Sequence, residues 1–293
     1  EISKQWVDYY TDGGKAERSE LNKNDLFPSL NMKYQMNEKN SLRFAFSRTV
    51  TRPSFIEMAP FLYQESYGSA QIRGNADLQN GYNYNIDLRY ELFEKNGDML
   101  SITAYYKHLK APIERVQTLS GGSAVHSFRN ADNGMATGVE IEFRKEIVKD
   151  LRFGVNGSYM YTNVKLPKGG AYTNSQRALQ GASPYLANAD LTYSPAFSND
   201  RQLSVALLYN LQGPRIHSVG ISGLGDIKQQ PVHTLNFTGS YRFNRRFAVK
   251  LQVNDLLNQD ILFKQEVPTT GDKVEVERFR KGTGFEVGFS YDL

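Results

Sequence analysis

Between residues 82 and 92 the side chains alternate without exception. Tyr82, Tyr84, Ile86, Leu88, Tyr90 and Leu92 are apolar or aromatic, and Asn83, Asn85, Asp87, Arg89 and Glu91 between them are polar or charged. Successive side chains of a strand point to opposite faces, so the pattern predicts a strand that is greasy on one side and wet on the other. Eleven residues at about 3.3 Å each, tilted by roughly 45°, rise about 25 Å, the height of the apolar band of a membrane-spanning barrel. Aromatic rings stand at both ends, where amphipathic side chains suit the headgroup level. A half-covered strand of a water-soluble sandwich has the same pattern, so the rest of the chain has to decide.

Ten further segments repeat the alternation, at 30–36, 42–46, 100–106, 139–143, 151–161, 185–193, 203–211, 235–243, 247–253 and 285–293. Short connections of about 3–8 residues alternate strictly with long ones of about 22–32, whereas globular domains use short loops at both ends. Short turns at one rim and long loops at the other is the layout of bacterial outer-membrane barrels. Residues 1–25 are polar and turn-rich around Asp12-Gly13-Gly14, and only 6–10 reads as a short strand-like piece.

Charge separates the two faces. At 23% charged residues, roughly 11 of about 50 outward positions should carry a charge, yet none is Asp, Glu, Lys or Arg. The opposite face holds Lys33, Arg43, Asp87, Arg89, Glu91, Glu140, Glu142, Arg144, Asp190 and Lys250, both signs mixed. Asp87, Arg89, Glu91, Glu140, Glu142 and Arg144 are therefore expected to face a hydrated lumen. A charge on the lipid side costs about 2–4 kcal/mol at the midplane. A soluble sandwich would leave wide strand edges open in water. In lipid every backbone group must be paired, which requires closure.

The expected fold is thus all-β, an antiparallel transmembrane β-barrel. Eleven strands is an odd count, and single-chain bacterial barrels carry even counts. The chain is accordingly read as one portion of a larger barrel.

Composition adds exclusions. The 293 residues contain no run of 18 apolar residues, so no transmembrane helix is expected. A net charge of +4, dispersed along the chain, gives no ground for nucleic-acid binding. There is no cysteine, which removes disulfides and thiolate metal sites. The chain starts at Glu1 without an initiator methionine or signal peptide, so sequence before it is expected to have been removed by processing or by the choice of boundary.

Several stretches resemble TonB-dependent outer-membrane receptors, in the style of those from Bacteroidetes. They are Leu26-Phe27-Pro28-Ser29-Leu30-Asn31, Ser47-Arg48-Thr49-Val50-Thr51-Arg52-Pro53 followed by Arg73-Gly74-Asn75-Ala76-Asp77-Leu78, Gly138-Val139-Glu140-Ile141-Glu142, Gly181-Ala182-Ser183-Pro184 with Asn188, and Val253-Asn254-Asp255-Leu256-Leu257-Asn258. The family usually has Pro after its Gly-Asn and Lys-Pro-Glu after the Leu, where this chain has Ala76 and Gln79-Asn80-Gly81. The resemblance covers nearly everything from Leu26 on.

It implies that residues 1–293 are the C-terminal part of a barrel of about 22 strands with a plugged lumen. Residues 1–25 would be an extracellular loop or strand end, and 26–293 meander strands with periplasmic turns and extracellular loops. The plug domain would lie outside this chain. The parent would take up a ferric chelate, oligosaccharide or peptide with energy from the TonB complex, contacted through its N-terminal region. Outer-membrane lipid and a surface lipoprotein are the further partners expected. The alternative is a passive porin or a structural subunit of an outer-membrane assembly.

Catalytic chemistry finds little support. His108, His126, His217 and His233 lie in or beside long loops without metal-ligand spacing, and no nucleophile or phosphate-loop motif occurs. No enzyme activity, metal or cofactor is expected. For ligand binding, the first long loop sets Phe55, Phe61, Tyr63 and Tyr67 near Arg52 and Arg73, and binding sites favour apolar walls with a few placed polar groups. The same rings would also serve to pack the loop against its neighbours. A second group, Arg215 and His217 with Arg129 and His126, would suit an anionic ligand such as a ferric chelate.

Overall fold

The computed structural model describes residues 1–10, 13–64, 71–94, 96–120, 123–167, 172–197 and 200–291. In chain order the elements are β1 (Ile2–Tyr10), β2 (Ala16–Asn24), β3 (Ser29–Gln35), β4 (Asn40–Thr51), α1 (Phe55–Met58), β5 (Leu62–Tyr63), β6 (Ile72–Arg73), β7 (Gly81–Phe93) and β8 (Met99–Lys110). They continue as β9 (Ile113–Ser120), β10 (Ser123–Asn130), β11 (Asn133–Val148), β12 (Leu151–Lys165), β13 (Gln176–Arg177), β14 (Tyr185–Tyr193) and β15 (Gln202–Gln212). The last are β16 (Arg215–Ser218), β17 (Ile227–Gln229), β18 (Val232–Arg242), β19 (Phe247–Asn254), β20 (Ile261–Glu266), β21 (Lys273–Phe279) and β22 (Gly284–Tyr291).

One antiparallel sheet forms the wall, in the order β3-β4-β7-β8-β11-β12-β14-β15-β18-β19-β22. These are the eleven strands expected from alternation, each beside its neighbour in sequence. Register shows why the pattern is so clean. Met32, Phe44, Leu88, Ala104, Val139, Tyr159 and Tyr185 stand opposite one another from strand to strand, so they line one face. Leu191, Leu207, Phe237, Val253 and Phe285 do the same farther along. The other face carries rows such as Lys33, Arg43, Arg89, Thr103, Glu140 and Ser158. A shift of one residue would exchange the faces.

The wall is a single layer, and this decides against the sandwich. The fully buried apolar residues Met58, Ile72, Leu78, Val164 and Leu166 all lie at or beyond the long-connection rim. Along the wall, large side chains such as Leu88, Ile141, Tyr159 and Phe289 are exposed on the apolar face. A sheet that turns this much apolar area outward is built for an apolar solvent. Among the described residues β3 and β22 each pair on one side only, so the sheet is a partial barrel.

The long connections differ from the loops expected of them. They fold into a cap of two four-stranded sheets, β5-β6-β10-β9 and β16-β17-β20-β21, plus the β1-β2 hairpin. One core joins Val116, Val164, Leu166, Tyr172, Ile216 and Val219; a smaller one joins Leu21, Met58 and Leu78, with Val7 and Phe128 against it. The hairpin departs most from expectation, pairing nine residues on each strand and staying out of the wall sheet. Strand β2, Ala-Glu-Arg-Ser-Glu-Leu-Asn-Lys-Asn, is polar on both faces apart from Leu21, so alternation has nothing to show there. Its pairing comes instead from β1 and from packing of the hairpin on the cap.

Candidate ligand-binding rim

The first long connection is built around a single helical turn. Ser54 caps α1, accepting from Glu57 N–H, while the Glu57 carboxylate accepts from Ser54 N–H at 2.7 Å. This reciprocal box fixes the turn. Met58 then points into the small core, and Phe55 and Ile56 face out. Gly74 lies so close to the Ala59 backbone that no Cβ fits, and Asn75 N–H donates to Glu57 O at 2.6 Å. The β5-β6 ribbon is thereby clamped against α1.

Of the residues singled out in this loop, Phe55 is 64% exposed and Phe61 56%. The Phe61 and Tyr63 rings are 6.0 Å apart and tilted, and Arg73 is exposed across the ribbon from Leu62. Ile56 and Leu62 extend the apolar surface. Arg52 behaves differently: its guanidinium donates to the Glu1 carboxylate at 2.6 Å. Tyr67 lies outside the described residues.

The second group is divided between two sheets. His126, on β10, is buried, accepts from Arg115 Nε at 3.0 Å and lies beside Gln117. Arg129, on the same strand, lines a cleft of about 550 Å³ with Asp77, Gln117 and Tyr172. Arg215 and His217 lie on β16. The Arg215 Nε donates to Gln229 at 2.7 Å, and the His217 ring meets Phe263 edge-on at 4.7 Å. Gln117 bridges the two sheets by donating to Ser218 Oγ. Beneath the junction, Arg177 and Glu114 form a buried ion pair at 2.9 Å. Burial pushes the Glu114 carboxyl above its ordinary value, against Arg177 and the Gln180 N–H, which pull it down. Sequence reasoning missed this pair. The two residues are far apart in the chain and neither lies in an alternating segment.

On the polar face of the wall, neighbouring charges pair both across and along strands. Arg43 donates to Glu91 at 2.7 Å and Ser41 to the same carboxylate oxygen at 3.0 Å. Arg89 Nε lies 3.0 Å from the other Glu91 oxygen, and Arg144 reaches Glu142 at 2.7 Å. Glu140 stands on the same face, between Thr103 and Ser158. Asp87 stands there too, between Ala45 and Tyr105. Farther along, Asn210 donates to Asn188 and Asn188 to Asn156, at 2.6 and 2.8 Å. Among the described residues no three His, Asp or Glu side chains converge to hold a metal.

Residues 6–291 match the model of the outer membrane protein beta-barrel family. The ferric enterobactin receptor of Pseudomonas aeruginosa is 22% identical over 253 residues, which cover 79% of this chain and 33% of that protein. A crystal structure of that receptor with enterobactin superposes with a TM-score of 0.65 at 18% identity, covering 94% of this chain and 42% of that one. The ferric yersiniabactin uptake receptor FyuA from Yersinia pestis gives 0.66 at 14% identity, covering 99% and 41%. The siderophore receptor PirA from Acinetobacter baumannii gives 0.62 at 16%, covering 94% and 42%. The chain therefore spans about a third to two-fifths of the proteins it resembles, and the likeness to the solved structures is one of fold.

Proposed function

The chain belongs to the outer membrane protein beta-barrel family, and from that premise we propose that it is the C-terminal part of the barrel of a TonB-dependent receptor that takes up a ferric chelate. The observation that carries this reading is the combination of a lipid-ready single-layer wall with a packed cap at one rim. A passive pore needs the wall alone; a receptor also needs a shaped, ordered surface to meet its ligand. The chelate is favoured over an oligosaccharide or peptide because relatives of the same fold are named for ferric enterobactin and ferric yersiniabactin.

In this reading the apolar face meets lipid and the polar face the lumen. The short turns are periplasmic and the cap, with residues 1–25, is extracellular. The free edges of β3 and β22 pair with strands from the remainder of the receptor, because unpaired backbone is too costly in lipid. That remainder also supplies the plug and the TonB contact. Phe55, Phe61, Tyr63 and Arg73 present aromatic surface with a cation to the chelate, and Arg129 adds a second cation from its own cleft. The role is transport, with substrate leaving chemically unchanged.

The test uses the whole receptor in cells. Uptake of iron-labelled ferric enterobactin should require the receptor and stop when a protonophore collapses the inner-membrane gradient. Uptake that continues without energy, together with rapid swelling of liposomes carrying the purified protein, would instead identify a porin.

A further inference from the structure

One lane of the polar face is free of acids. On β15, β18 and β19 the polar-face side chains stand at even positions, in rows such as Asn210 with Thr234 and Thr238 with Gln252. From 202 to 212, 232 to 242 and 248 to 254 no such position is Asp or Glu. Amides, hydroxyls and a few small or aliphatic side chains fill the lane as far as Gln212 and Val232, beside the cap strands β16 and β17. The rest of the wall differs. Asp87 on β7 and Glu140 on β11 share the same face without an ion-pair partner among the described residues. Asp190 on β14 and Glu286 on β22 border the lane on either side, also without one.

At the short-turn end the lane finishes on two cations. Ser240, Lys250 and Gly288 form one row, and Arg242, Ala248 and Ser290 the next. All six line a cleft of about 450 Å³ whose floor is kept low by Ala248, Gly288 and Ser290. Both rows belong to one face, so the cleft opens on the polar side. Val249 and Phe289, which also border it, lie between the rows and point the other way. Arg242 and Lys250 are diagonal neighbours, roughly 7–8 Å apart along the ladder. Both are exposed, and among the described residues neither has an ion-pair partner. Arg245, in the adjoining turn, is by contrast matched by Asp200 at 2.7 Å. Like charges this close repel, and an anion between them relieves the repulsion. A surface of one sign also concentrates counter-ions and raises their on-rate by about 10–1,000-fold.

We propose that this lane is the path by which an anionic ferric chelate crosses the lumen, with Arg242 and Lys250 drawing it to the periplasmic mouth. The inference rests on the proposed orientation, in which the polar face lines the lumen and the short turns are periplasmic. A ferric catecholate complex carries net negative charge, so Asp87 and Glu140 repel it from their side of the wall. The amides and hydroxyls of the lane meet it without that repulsion. A path rather than a single seat is indicated because the acid-free strip runs from the cations along three strands to the cap.

The test uses the whole receptor in energised cells, with iron-labelled ferric enterobactin as the probe. With the gradient collapsed, R242Q/K250Q should bind the chelate at the surface as the unaltered receptor does. With the gradient restored, its initial uptake rate should fall roughly tenfold. K33Q/K107Q removes two cations of the same face from β3 and β8 and should leave both readings unchanged. Heat-modifiable gel mobility reports that each barrel is folded. Unchanged uptake in R242Q/K250Q, or an equal fall in K33Q/K107Q, would overturn the lane while leaving energised uptake by the unaltered receptor intact. Failure of the transport reading shows differently, as uptake by the unaltered receptor that survives the protonophore, and it would remove the lane with it. A carbodiimide cross-link from Lys250 to a carboxylate elsewhere in the resting receptor would assign the cations to an acidic protein segment and also overturn the proposal.

Discussion

Glu114 and Arg177 meet at 2.9 Å in the interior of the cap, their side chains only 7% and 3% exposed. The pair ties β9 to β13, and so joins the connection after β8 to the one after β12. Removing one partner of a buried pair leaves an uncompensated charge, which costs about 3–5 kcal/mol, whereas replacing both by apolar or neutral groups is often neutral. Arg177→Met should therefore loosen the cap, and Glu114→Gln added to it should restore most of the loss. Hydrogen exchange of residues 113–130 in the whole receptor reads both outcomes.

The same carboxyl sets a pH dependence. Burial holds Glu114 above its ordinary 4.5 in the folded cap, so the folded state binds the proton more readily than the unfolded one. Its contribution to stability is complete below the ordinary value and is lost as pH rises through the folded value. Asp260 acts oppositely. Hydrogen bonding to Arg280, then the charges of Arg280 and Arg278, hold it below its ordinary 3.8, so its contribution is present above that value and is lost as pH falls through the folded one. Acidification should therefore open the β20-β21 ribbon to protease while the region around Glu114 tightens. Opening of both regions together would contradict this.

Gly138 is required by the close approach of Tyr105, whose hydroxyl stands 2.6 Å from where a Cβ would be, with the Tyr159 carbonyl also in the way. Gly138→Ala should lower the heat-modification midpoint of the barrel, at an overpacking cost of about 1–3 kcal/mol. Adding Tyr105→Ala should return only part of it, because the carbonyl remains.

The wall was legible in the sequence and the cap was not, for physical reasons visible at particular residues. Leu88 and Arg89 lie on opposite faces of one wall strand, in an apolar row and a polar one, so each position carries its address in its own chemistry. The cap is held by contacts between distant segments, such as Glu114 with Arg177 and Gln117 with Ser218, which leave no periodic trace. Strand β2 shows the limit most plainly, since Leu21 is its one large apolar side chain and a single buried residue makes no alternating pattern. Among the candidate ligand residues, Phe55 and Phe61 gave a chemical signal in their grouping with Arg73. The tie from Arg52 to Glu1 gave none.

That tie separates two substitutions in the first long connection. On the proposed reading, Phe55→Ala with Phe61→Ala removes exposed aromatic surface and should weaken binding of the ferric chelate to the whole receptor by roughly tenfold, about 1.4 kcal/mol. Arg52→Ala should change affinity little, because its charge is already matched by Glu1. Titration of intrinsic fluorescence with the chelate reads both, and an equal loss from Arg52→Ala would place that cation in the site.

The most direct measurement is of the two faces themselves. The chain has no cysteine, so single cysteines placed at 85 to 90 can each carry a spin label in the receptor reconstituted in lipid. Labels at 86, 88 and 90 should relax with dissolved oxygen, and those at 85, 87 and 89 with a water-soluble nickel reagent, alternating residue by residue. Uniform accessibility along the strand, or alternation of the opposite sign, would contradict a wall with lipid on its apolar face and a hydrated lumen on the other.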